Sequence, residues 1–313
     1  MTFFGKPRRR SFHLLTGAIL VAASFAVPSF AQDDVPPPGN PGALVARAVQ
    51  NRLAEGATRH PLRFLWHKKD ERQDTTRQVI ETPQGDVAMV VATNGRPLTH
   101  EAQQAEFARL DNLAAHPELQ EHRRKREAED NARANKLLRL FPTAFNYHYE
   151  ATENCDLSKI PEIPVPGIQP LATVSAPQPV QQCYRLSFAP NPKFDPPDMT
   201  ANILQGMAGE IWIAKTEERL VRLNAHLISD VQFGWGFIGR LDKGGTVYLE
   251  QADIGGGDWE LTRMNLNLTG KAFLFKSLRI RISEEQGQFQ RVPTGTDYRK
   301  AIEILKTSAP PNR

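Results

Sequence analysis

The chain has 313 residues, with 39 Lys and Arg against 35 Asp and Glu, a formal charge of +4. Lys6, Arg8, Arg9 and Arg10 supply the whole excess, so the pI near 9.1 belongs to the first few residues and is no argument for nucleic-acid binding. Two cysteines and the absence of any Cys-x-x-Cys pair exclude a zinc ribbon and a dithiol redox motif.

Residues 1–31 have the pattern of a secretory signal. A basic start (Lys6, Arg8–Arg10) precedes an apolar run from Leu14 to Val27, and Ser29-Phe30-Ala31 places small residues three and one before a cut after Ala31. The run is shorter than the ~20 residues a membrane span needs, so the processed chain is expected not to be transmembrane. Arg9-Arg10-Ser11-Phe12 partly matches the twin-arginine pattern, which leaves both export routes open. The expected location is periplasmic or secreted.

A Pro-rich lead (32–42) follows, then a helix over Ala43–Ala54 with Leu44, Val45, Ala48, Val49 and Leu53 on one stripe and Gly56 as terminator. Leu62–Lys68, Arg77–Glu81 and Asp86–Thr93 read as a small antiparallel meander, with Asn94-Gly95 as a turn. Thr99 caps a helix to Ala115, whose apolar positions are Ala102, Ala105, Phe107 and Leu110. After Pro117 a very polar helix runs over Glu118–Leu140. Its run His122-Arg123-Arg124-Lys125-Arg126 is either a patch for anionic lipid headgroups or a partner, or a solvated face balanced by Glu121, Glu127, Glu129 and Asp130. The balance of charges favours the solvated face.

Phe145–Glu150 and Tyr184–Phe188 read as strands around the only cysteines, Cys155 and Cys183. In an exported chain these pair as a disulfide across a proline-rich excursion at 155–183, expected to be extended and on the surface. From Gly206 to Ile282 the apolar runs Gly209–Ala214, Arg219–Leu223, Phe233–Phe237, Thr246–Glu250, Trp259–Met264 and Phe273–Leu278 form a long meander. Val221, Leu223, Ala225 and Leu227 share one parity. Trp259 and Leu261 share another, and Met264, Leu266 and Leu268 the opposite, so a bulge is expected near Thr262 and Arg263. Asp297–Lys306 reads as a short helix, and 307–313 as a tail. The fold class is α+β, with residues 43–306 as one domain.

No catalytic motif appears, and the histidines are scattered singly. Gly255-Gly256-Gly257 lacks the Lys-Ser/Thr of a phosphate loop and reads as a turn. Asn267-Leu268-Thr269, a glycosylation sequon, lies in a strand. No catalytic, cofactor or metal-binding residue is assigned. What remains is a set of aromatics on or beside strands: Trp66, Trp212, Phe233, Trp235, Trp259, Phe273 and Phe275. They are either core or the lining of an apolar cavity in a curved sheet.

The element order, with its hairpin at Gly209–Leu223 (apolar strand, polar turn, Arg-Leu-Val-Arg-Leu return), resembles the periplasmic lipoprotein-localisation superfamily, the LolA/LolB-like and RseB-like proteins. The resemblance implies a strongly curved antiparallel half-barrel with helices plugging its concave face. It also implies a lipid, acyl chain or lipoprotein held between that sheet and the helices at Ala43–Ala54 and Thr99–Ala115. The chain departs from the family in its long helices at Thr99–Leu140 and in the Cys155–Cys183 insertion. An envelope interaction module with a closed core, capturing an envelope protein partner, is the alternative. An exported hydrolase with a site assembled from distant positions is the third.

Overall fold

The computed structural model describes residues 39–54, 60–157, 159–167, 181–233, 239–273 and 276–309. The expected signal sequence with its expected cleavage site, Gly56, Trp235 and Phe275 lie outside these. In chain order the elements are helix α1 (Pro41–Ala54), strands β1 (Leu62–Lys69), β2 (Asp74–Ile80), β3 (Val87–Thr93) and β4 (Arg96–Pro97), helices α2 (His100–Ala115) and α3 (Pro117–Ala144), and strands β5 (Phe145–Cys155) and β6 (Gln181–Pro190). A 3₁₀ helix (Thr200–Gly206) precedes β7 (Met207–Ala214), β8 (Leu220–Leu227), β9 (Val231–Phe233), β10 (Gly239–Leu241), β11 (Thr246–Asp253), β12 (Trp259–Ala272) and β13 (Lys276–Arg291), and α4 (Tyr298–Thr307) closes the described chain.

All the described strands join one antiparallel sheet of order β4-β3-β2-β1-β13-β12-β11-β8-β7-β6-β5, with β10 paired to β12 and β9 to β10. It is an α+β fold, and the sheet does not close into a barrel. The centre is β13. Its first half pairs with β12 (Ala272↔Lys276 to Arg263↔Glu285) and its second with β1 (Lys69↔Ser283 to Leu62↔Arg291). The two ladders overlap only at Ser283–Glu285, so β13 carries the chain from one group of strands to the other.

The expected bulge is present: Glu250 pairs with Arg263 and Gln251 with Leu261, leaving Thr262 extra. Its buried hydroxyl donates to the Glu250 carbonyl at 3.2 Å. A second bulge changes the expected β8 parity. Trp212 pairs with Arg222 but Ile213 with Leu220, so Val221 leaves the face of Leu223, Ala225 and Leu227 and joins the Trp212 cluster. Alternation assumes an unbroken pleat, and one inserted residue inverts it. The expected strand Phe273–Leu278 instead straddles the β12–β13 turn, with Phe273 in the left-handed region at φ 48°. Gly255, Gly256 and Gly257, all at positive φ, form the β11–β12 turn.

The helices cover opposite faces at opposite ends. On one face, α1 and the end of α3 bury Leu44, Val45, Ala48, Val49 and Ala144 against Leu186 and Phe188 of β6, Ile211 and Ile213 of β7 and Leu223 of β8. The β7–β8 turn grips α1: Arg47 donates to both carboxylate oxygens of Glu218 at 2.7 and 2.8 Å, and Arg219 donates to the Asn51 carbonyl at 2.7 Å. The space between α1 and the sheet is therefore filled. Cross-strand partners share a face. Register from Trp212 through Arg222, Glu250, Arg263, Glu285 and His67 puts Leu65 on the other face. There Leu65, Ile80 and Met89 pack with Leu110 and Leu113 of α2 and Ile302 and Leu305 of α4. The resemblance implied α1 and α2 on one concave face; the second helix sits behind the sheet instead.

Helix α2 also buries a different stripe from the apolar one. Thr99 caps it by accepting from the Ala102 amide, but Gln103, Glu106, Leu110 and Leu113 are buried and Ala105 is exposed. The helix lies along the poorly paired edge of β3. Glu106 accepts from the Val90 amide at 2.7 Å, and Arg109 donates to the Ala88 carbonyl at 2.6 Å and to Glu106. Polar side chains here satisfy backbone groups that an edge strand leaves open.

Cys155 and Cys183 are joined, their Cα atoms 5.8 Å apart on adjacent strands β5 and β6. The excursion they bracket is not all surface. Ile163 and Val165 are buried in the α2–α4 core, and the Ile163 carbonyl accepts from Gln288. The segment crosses β13 at Gly287, where a Cβ would lie 2.2 Å from the Pro161 carbonyl oxygen, so only glycine fits. Among the described residues no helix is long and apolar enough to cross a membrane.

Candidate binding surface

The face covered by α1 is not covered throughout. Beyond the helix, β11, β12 and β13 present Val247, Leu249, Met264, Leu266, Leu278, Ile280 and Ile282, all half-buried. Register places them side by side: Ala225↔Val247↔Leu266↔Ile282 and Leu223↔Leu249↔Met264. Val247, Leu249, Leu278 and Ile280 continue the α1 core outward. The strip stops at Glu284, opposite Met264, whose buried carboxylate holds Lys68 Nζ at 2.9 Å.

Alternation produces the strip. Ser277, Arg279, Arg281 and Ser283 interleave with its β13 residues, and Asn265, Asn267 and Thr269 with those of β12. From Lys276 to Ile282 no described strand pairs with the outer side of β13. Where β1 ends, a notch of 410 Å³ opens, lined by Lys69, Asp70, Glu71, Leu266, Arg281 and Ile282 among others.

Helix α3 lies on this side of the sheet. Its 28 residues, about 42 Å long, run from the β2–β3 turn to β5, near opposite ends of the strand order. Gln120 donates to the Gln84 and Gly85 carbonyls at 3.0 Å, and Leu137, Leu138 and Phe141 pack on the α1 core. Between these anchors residues 128–136 are exposed, so neither end of the helix explains its middle by burial.

The opposite face of the same strands is ionic. Arg222 Nη2 donates to Glu250 at 3.0 Å, Arg263 Nη1 to the other Glu250 oxygen at 2.8 Å, and Arg263 Nε to Glu285 at 3.3 Å. Arg185 bridges Glu153 and Glu210, and Trp212 Nε1 donates to Glu153 at 2.6 Å. Burial works against the Arg263 charge, but its two carboxylates prevail and raise its pKa. Every member of this ladder is paired, which suits cross-strand cohesion.

The predicted aromatics that lie among the described residues do not assemble into one cavity. Trp212 and Trp259 are buried on the ionic-ladder face with the disulfide, Leu157, Ala214 and Val221. Phe233 packs half-buried against the α1 core. Phe273 is 72% exposed at its turn. Trp66 is half-buried beside Phe64 and Phe289, with the Arg77 guanidinium 5.2 Å from its ring centre. The uncovered strip is aliphatic instead. Its signal was the parity of Met264, Leu266 and Leu268 and the alternation from Ser277 to Ser283.

Among the described residues no group of three His, Cys, Asp or Glu side chains could hold a metal. His67 pairs with Asp74 at 3.0 Å, which holds the Asp74 carboxyl below its ordinary pKa. No family model matches the chain, and neither a curated protein nor a solved structure matches it.

Proposed function

We propose that the chain is an exported, non-enzymatic binding protein of the cell envelope that holds an acyl chain, from a lipid or a lipoprotein, against the strip on β11–β13. The observation that carries this reading is a run of aliphatic side chains in register across three central strands, continuous with a core yet left half-open. The resemblance in element order points the same way, with the sheet curling around its ligand; bulges in several ladders favour such curvature. The ligand belongs on the open strip, since side chains occupy the space beneath α1. Burying a 14-carbon chain at ~0.8 kcal/mol per CH₂ is worth about 10 kcal/mol, and an open strip would capture about half of it.

Native mass spectrometry of the chain purified without detergent, with lipid extraction of the same sample, tests the reading. A reproducible acyl-bearing adduct, lost in Ile280→Ser and Ile282→Ser, is expected. A bare mass that stays bare with excess fatty acid would sink it.

A second reading is an interaction module, favoured by the unpaired outer side of β13 from Lys276 to Ile282. An extended partner segment could add there as a strand. Protection of the Arg279 and Arg281 amides from hydrogen exchange by a partner, with no lipid adduct, would favour it.

A further inference from the structure

The run His122–Arg126 divides between two environments. Arg124 and Lys125 turn outward to Glu121, with Arg124 Nη2 at 2.7 Å and Lys125 Nζ at 3.8 Å. Arg123 turns inward and lines a recess of 350 Å³ with Arg77 of β2, Ala88 and Val90 of β3, and Glu106 and Arg109 of α2. A second recess of 380 Å³ shares Arg109 and Arg123 and adds His122 and Arg126, with no acid in its lining.

The acids nearby are already engaged. Glu106 is held by Arg109 and by the Val90 amide, and Glu127 accepts from the Asp86 amide at 3.1 Å. Arg123 makes no hydrogen bond or close ion pair among the described residues; Glu127 and Asp86 act on it only through space. Burial, and then Arg109 alongside, lowers its pKa. A half-buried guanidinium beside a second one, with no hydrogen bond of its own, is an arrangement that a multi-oxygen anion relieves. Guanidinium forks also match phosphate oxygens two at a time.

We infer that the recess between β2–β3 and α2–α3 is a binding site for a phosphate group, held by Arg123, with Arg77 and Arg109 (the latter already bonded to Glu106 and the Ala88 carbonyl) lining it. Register from Trp66 through Arg77 to Val90 puts these β2 and β3 residues on the same face as the aliphatic strip. The phosphate could therefore be free or the headgroup of an amphiphile. The site itself does not depend on the strip.

The test compares the full chain with Arg123→Gln and with Arg124→Gln, a neighbour on the outward side. Binding of inorganic phosphate is measured by calorimetry, and co-sedimentation with phosphatidate-containing vesicles is measured against phosphatidylcholine alone. Arg123→Gln is expected to weaken binding at least tenfold while Arg124→Gln changes it less than twofold, with both variants melting as the wild type does. Phosphate binding lost in Arg123→Gln assigns the site to the phosphate itself. Vesicle binding alone, lost in the same variant, assigns it to a lipid headgroup. If the wild type binds neither probe, or if both variants lose binding equally, the site is refuted. A melting temperature lowered in Arg123→Gln would also count against it, since an unpartnered cation should not stabilise the apo fold.

Discussion

The two halves of β13 are one strand in two physical settings. From Gln286 to Arg291 it is paired with β1, crossed by the Pro161 segment, and sends Phe289 into a fully buried cluster with Leu62, Phe64, Val79 and Ile254. From Lys276 to Ile282 it is paired on one side only, and Leu278, Ile280 and Ile282 are half-open. The open half is the more apolar of the two, with Leu278, Ile280 and Ile282 against Phe289 alone. What lies above and beside each half, not its apolar content, sets the difference in burial. The first half carries stability, and the second has surface left over for binding.

The sharpest way to test that contrast is to truncate each half. Phe289→Ala removes a ring that touches Phe64 at 5.5 Å between centroids, and should cost about 3–5 kcal/mol in urea unfolding. Next comes the disulfide that joins β5 to β6. Replacing Cys155 and Cys183 by Ser should cost roughly 3–4 kcal/mol in the chain-entropy model, and adding reductant to the wild type should give the same midpoint shift. Both cores should loosen together, because the segment it anchors places Ile163 and Val165 in the second.

Smaller is the grip of the β7–β8 turn on α1. The hydrogen bond from Arg47 depresses the Glu218 pKa below 4.5 in the fold, so its contribution is present above the unfolded-state pKa and fades as pH falls through the folded one. Glu218→Gln should cost at most about 1 kcal/mol at pH 7 for this partly exposed pair, and the difference from wild type should shrink as the pH falls through the folded-state pKa. Denaturant melts over a series of acid pH values check it. Least of all, Ile280→Ser should change stability by under about 1 kcal/mol, since the site is already half-hydrated. The acyl-bearing adduct should nevertheless disappear. A loss as large as that of Phe289→Ala would erase the contrast between the two halves.

Much of the local structure was legible. The helix stripe of α1, the short helix α4, the Thr99 cap, the Asn94-Gly95 turn, the Thr262 bulge and the disulfide all follow from neighbouring residues or from a single pair. Local spacing carries these because the forces concerned act over one turn or one pleat. Three features were not legible. The Val221 bulge inverts a parity that looks regular in sequence. The buried Gln103 and Glu106 face a strand edge that only the fold brings alongside. The Pro-rich excursion contributes two core residues to a distant cluster.

The sequence by itself determined that this is an α+β chain with a long antiparallel meander, capped helices and one disulfide. It also determined that aliphatic residues alternate with polar ones on β12 and β13. Only the tertiary structure decided that α1 and α2 cover opposite faces, that α1 stops short of β11–β13, and that Arg123 points inward while Arg124 points out. Those outcomes depend on which strand lies beside which, and on where each helix ends relative to the sheet. Such contacts join residues far apart in the chain, and no local periodicity encodes them.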